Sequence, residues 1–114
     1  MSEEEKGNTL KRKQVCFVKD NLLYDTEKST LLHSWSRVAH MRTYYRVWKT
    51  KGGHYFTIKW QVQLDENDDY YPKARYVEFK AMNKINDIIK YLSDEGETEI
   101  LCTHPEFKDH ITEA

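Results

Sequence analysis

The sequence predicts an α+β fold, an antiparallel sheet of about five strands with one C-terminal helix packed on a face. Three observations carry this. Residues 54–64, HYFTIKWQVQL, alternate apolar and polar side chains without a break; Gly52 and Gly53 separate them from a second strand-like run, TYYRVWKT; and the apolar period changes to that of a helix from Ile85 onward. At 114 residues the chain suits one compact domain. We assign residues 14–114 to that domain. Residues 1–13, which carry almost no large apolar side chains, form a frayed lead-in.

In chain order, QVCFVKDNLLYD is rich in Val, Phe, Leu and Tyr around a Lys-Asp-Asn break and reads as one strand or two short ones joined by a turn. TEKS is the next turn signal. In TLLHSWSRV, Leu31, His33 and Trp35 alternate with Leu32 and Ser34. Phe56, Ile58, Trp60, Val62 and Leu64 then fall on one face of a strand, with Tyr55, Thr57, Lys59, Gln61 and Gln63 on the other. The Gly-Gly pair supplies the positive φ a tight turn requires, so residues 43–50 pair back as the first arm of a hairpin. A two-residue loop sets Val47 and Tyr45 on the core side with Ile58 and Trp60, whereas a three-residue loop inverts the first arm. ENDDYYPKA reads as a loop. RYVEFKAM resumes the alternation, with Tyr76, Glu78 and Lys80 opposed to Val77, Phe79 and Ala81.

Asn83 is the expected helix N-cap, Ile85, Ile88, Ile89 and Leu92 form an i, i+3, i+4, i+7 stripe, and Gly96 ends the helix. The core is expected to bring that stripe together with Phe56, Ile58, Trp60 and Val62. Beyond it, Ile100 to Cys102 and Pro105 suggest an edge strand or a short helical turn.

Eighteen Lys and Arg against nineteen Asp and Glu give a net charge of −1, so any charge-driven recognition is local. The polar start and the absence of a long apolar run point to a soluble cytoplasmic protein without a membrane partner. Cys16 and Cys102, in VCFV and ILCT, are expected to be buried free thiols. The four glycines make no phosphate-binding loop, and Cys102, His104 and His110 fit no common zinc spacing. No Cys–His pair is nominated as a nucleophile and base. We therefore expect neither an enzyme nor a cofactor.

What the sequence has in excess is aromatic and cationic side chains at the hairpin. With the two-residue loop, Tyr44, Arg46, Trp48 and Lys59 share the solvent face, and Lys49 and Lys51 flank the turn. These six residues are the candidate partner-binding set, since Tyr, Trp and Arg dominate interface hot spots. A protein partner is the first expectation. A nucleic acid gripped by the same basic and aromatic face, with LKRK at the N-terminus, is the alternative. An open sheet edge would also accept a second copy of the chain, giving a homodimer.

LLYDTEKSTLL, followed by YYRVWKTKGGHYFTIKW and then a strand running into MNKINDIIKYL, resembles a family of small proteins from bacteria and their phages and plasmids. The matching positions are Tyr24, Asp25, Thr26, Glu27 and Lys28, then Tyr45, Arg46, Lys49, Thr50, Lys51, Gly53, Tyr55 and Phe56. The resemblance spans about residues 22–92 and departs where a Gly-rich segment would follow the second hairpin, here QVQLDENDDYY. It implies an α+β fold and a life on mobile elements, with no known catalytic residues; by analogy with small phage proteins of this size, which often bind and block a host protein such as a defence enzyme, it lends weight to an interaction role.

Overall fold

The computed structural model describes residues 15–63 and 76–113. The α+β class is as expected, but the described residues form two antiparallel sheets and three helices. Strands β1 (Cys16–Lys19) and β2 (Leu22–Asp25) make a two-stranded sheet. Strands β3 (Thr30–Val38), β4 (Arg42–Lys49), β5 (Tyr55–Val62) and β6 (Tyr76–Met82) make a four-stranded meander in that order. Helices α1 (Ile85–Asp94), α2 (Thr98–Thr103) and α3 (Pro105–Lys108) follow. The Ile100–Cys102 segment is thus helical. The expectations of a frayed lead-in, of a basic LKRK contact and of a loop at ENDDYYPKA fall on residues outside those described.

The β1–β2 turn is made by Asp20 and Asn21, both at positive φ (54° and 64°), the two-residue geometry that matches strand twist. A single 3-10 turn, Thr26–Lys28, follows, opened by Asp25, whose side chain accepts from the Glu27 N–H.

The central hairpin has the three-residue loop. Thr50 and His54 close it, with Thr50 N–H donating to the His54 carbonyl at 2.8 Å, and Gly53 takes φ 87°. The register therefore pairs Trp48 with Phe56, Arg46 with Ile58, Tyr44 with Trp60, and Val47 with Thr57. That one extra loop residue puts Tyr44, Arg46 and Trp48 on the same side as Phe56, Ile58 and Trp60.

Both sides of the meander are covered. On one, Phe56, Ile58, Trp60, Val62, Trp48 and Tyr24 form a cluster joined by Phe17 of β1 and by Phe79 and Ala81 of β6. Phe17 stacks on Phe79 at 4.3 Å, and the Tyr24 ring meets Phe56 and Phe79 edge-on. On the other, Val47 and Tyr55 pack with Ile88, Leu92, Leu101 and Phe107.

The helix stripe faces inward as expected, with Ile88 and Leu92 fully enclosed and Ile85 and Ile89 half-buried, but it packs in a different cluster from Phe56, Ile58, Trp60 and Val62. The covers come from opposite ends of the chain, and the expectation of a single core is corrected: β4 and β5 are sandwiched, so each face buries residues, Trp48, Phe56, Ile58, Trp60 and Val62 on one and Tyr45, Val47, Tyr55 and Thr57 on the other.

Helix α1 ends as expected. Gly96 takes φ 81°, and Glu97 N–H donates to the Leu92 carbonyl, closing the last turn. Its start differs: Lys84 is the N-cap, with no side-chain cap bond, and the Asn83 side-chain oxygen Oδ1 lies instead 3.0 Å from His54 Nδ1. Neither cysteine is in a disulfide, as expected, but both are exposed rather than buried. Phe17 and Leu101 take the inward positions, and the adjacent Cys16 and Cys102 turn outward.

Candidate interaction surface

The inverted register divides the six candidate contact residues. Trp48 is 9% exposed and lies 6.1 Å from the Phe56 ring at 9°, inside the β1–β2 side core. Tyr44 stacks on the buried Trp60 at 5.0 Å, and the Arg46 guanidinium stands 5.1 Å from the Trp60 ring centre. Lys59 is on the opposite side of the sheet, 5.8 Å above Tyr45. Lys49 also faces the helices, where its ammonium pairs with Glu106 at 2.8 Å. Lys51 projects from the turn and is exposed. No single face holds the set, because the three-residue loop places Tyr44, Arg46 and Trp48 back to back with Lys59.

Two polar clusters on the helix side are fastenings. Tyr55 donates to Glu106, which also takes Lys49, tying α3 to the hairpin. Arg37 donates to Glu95, and His33 Nε2 lies 2.8 Å from Glu97, tying β3 to the α1–α2 connection. Between them His33, Trp35 and Tyr45 stack in sequence, at 5.1 and 4.9 Å.

Charge is sorted along the chain. Residues 30–63 hold six Lys and Arg and no acid, whereas residues 85–113 hold eight acids and two Lys. The clusters just described join the two sets. Among the described residues, Lys51 is exposed and makes no ion pair.

The surface that sequence reasoning missed lies on the first hairpin. Val18 and Leu23 are register partners across β1 and β2 and are 72% and 52% exposed. Their alternates, Phe17 and Tyr24, take the inner side. Leu22, 37% exposed, reaches from the hairpin towards the β4–β5 turn. The space between holds a cavity of about 280 Å³, walled by Leu22, Leu23 and Tyr24 on one side and by Thr50, Gly52 and His54 on the other. Lys28 and Lys51 border it. Asp25 also lines it but is buried and spends Oδ1 on the Glu27 N–H. Burial raises the Tyr24 hydroxyl above its usual range, and Asp20 adds to this, so that wall is neutral in ordinary buffers. LLYD read as an alternating strand would have exposed Leu23, but only the fold shows that Val18 stands opposite it.

No helix among the described residues is long and apolar enough to cross a membrane. No family model, curated protein or solved structure matches this chain.

Proposed function

We propose that this chain is a small protein-interaction domain acting inside the cell, with the outer face of the β1–β2 hairpin as its contact surface. The observation that carries the reading is the Val18–Leu23 pair, an apolar cross-strand pair set in water beside Leu22 and a cavity. Contiguous exposed apolar side chains mark interaction sites more often than they occur by chance, since they cost solubility and contribute nothing to the fold. By analogy with small phage proteins of this size, the partner is a host protein whose activity is blocked.

Immobilised protein should retain a host protein that a Val18→Asp, Leu23→Asp double variant does not, with the melting temperature of the variant near wild type. Equal capture by both would remove the hairpin face from the reading.

A second reading, nucleic-acid binding, has one observation in its favour, the run of residues 30–63 with six cations and no acid. Fluorescence anisotropy with labelled single- and double-stranded DNA and RNA, at low and near-physiological salt, decides it. Micromolar binding that weakens steeply with salt supports it, and no binding at low salt ends it.

A further inference from the structure

We propose that the cavity between the first hairpin and the β4–β5 turn seats a large apolar side chain from an acidic segment of a partner protein. This rests on the interaction reading above and names the chemistry of the partner.

Size is the first argument. At about 280 Å³ the cavity falls just below the range that encloses cofactors and drug-sized ligands, and suits one or two side chains. Leu22, Leu23 and Tyr24 give it an apolar wall facing Thr50, Gly52 and His54, so the entering group is an apolar side chain. The Tyr24 ring is itself held by Phe56 and Phe79 from beneath, which gives the cavity a rigid wall.

Charge is the second. The two ammonium groups at the border come from separate elements, Lys28 from the 3-10 turn and Lys51 from the central hairpin loop, and neither makes an ion pair among the described residues. The one carboxylate in the lining is buried and turned into its own backbone turn. A docking segment therefore meets an apolar pocket flanked by two cations with no exposed lining acid to offset them. Carboxylates on either side of the entering apolar residue complement that arrangement, and lysines there would be repelled. His54 lies in the wall with Nδ1 engaged by Asn83, so it is held in place and adds no negative charge.

The test uses three labelled ten-residue peptides with isotope-labelled full-length protein: one with a central Phe-Leu pair flanked by Glu, one with the flanks changed to Lys, and one with Glu flanks and Ala-Ala in the centre. Amide shifts on titration report where each binds. The acidic Phe-Leu peptide should move residues 22–29 and 50–54, and more weakly as salt rises. A Lys28→Glu, Lys51→Glu variant should bind it roughly tenfold more weakly and should prefer the Lys-flanked peptide. Both lysines are exposed, so the variant should melt near wild type.

Equal shifts from the acidic and basic peptides would overturn the acidic class while leaving the hairpin as an interaction surface. Absence of localised shifts with every peptide at millimolar concentration would overturn the cavity as a docking site, and the hairpin-face capture experiment would stand or fall separately. Saturation by decanoate with no response to the peptides would make it a site for small amphiphiles and overturn the proposal.

Discussion

Tyr55 and Glu106, 51 positions apart, meet at 2.5 Å, the phenol donating to Glu106 Oε2 while Lys49 holds the same oxygen at 2.8 Å. The pairing with Lys49 and the Tyr55 hydrogen bond hold the Glu106 carboxyl below its ordinary value. Below that ordinary value the unfolded chain binds this proton more readily than the folded one, so stability falls as pH is lowered through the window from about 4.5 to the depressed folded value. Glu106→Gln should flatten that part of the acid limb of a melting-temperature profile. An unchanged profile would show that the contact contributes nothing.

The opposite limb belongs to phenols. Burial, then the Glu106 hydrogen bond, raises Tyr55, and burial followed by the Glu95 charge pushes Tyr91 up to about 12. Both therefore stabilise the fold fully below pH about 10 and lose that contribution as pH rises towards their folded values. Tyr55→Phe should remove part of the alkaline loss and, by deleting a charge-assisted hydrogen bond, lower stability at neutral pH by about 1–3 kcal/mol. Chemical denaturation at pH 7 and pH 11 reads both effects.

The two covers predict independent cores. Ile58→Ala and Ile88→Ala should each cost about 2–5 kcal/mol, since both side chains are fully buried. The Ile58 and Ile88 clusters lie on opposite sides of the sheet, so the double variant should show coupling within about 0.5 kcal/mol of zero. A coupling above about 1 kcal/mol would mean that the two side chains share a core.

Trp48→Ala should lower the melting temperature sharply, at about 3–5 kcal/mol, because the ring is enclosed with Phe56. A variant that melts like wild type would return Trp48 to the surface and restore the two-residue loop register.

Gly53→Ala should destabilise by about 1–2 kcal/mol from its positive φ alone, as an added Cβ would meet nothing within 4 Å. Gly52→Ala should stay within about 0.5 kcal/mol, its nearest contact being the His54 ring at 3.6 Å. Equilibrium urea unfolding of both variants separates a backbone cost from a packing one.

The strands, the central hairpin and helix α1 were legible in the sequence because each has a clean period. The face assignment was not, because it turned on a single loop residue at Thr50 to His54 that Gly52 and Gly53 satisfy in either geometry. Aromatic residues on both sides of β4, Tyr44 and Trp48 on one and Tyr45 on the other, are equally compatible with a solvent-side recognition row and with a sheet covered twice. The bulge between Leu31 and His33 of β3 has no signature in TLLHSWSRV, and it lets Leu32, Trp35 and Val47 join one cluster. Asn83 read as a cap by type alone, whereas its side chain is used by His54, which is 29 positions away. The exposed Val18–Leu23 pair needed the cross-strand register.

The two covers have a kinetic consequence during synthesis. The β1–β2 hairpin leaves the ribosome before the meander it shields, so that part of the cover over Phe56, Ile58 and Trp60 is already synthesised when they emerge. Val47 and Tyr55 have no such shelter. Their cover spans Ile88 to Phe107, at the opposite end of the chain. At about 5–20 residues per second, the some 50 positions between Tyr55 and Phe107 keep that surface bare for a few seconds, the interval in which a nascent chain is most open to chaperones or to misassociation.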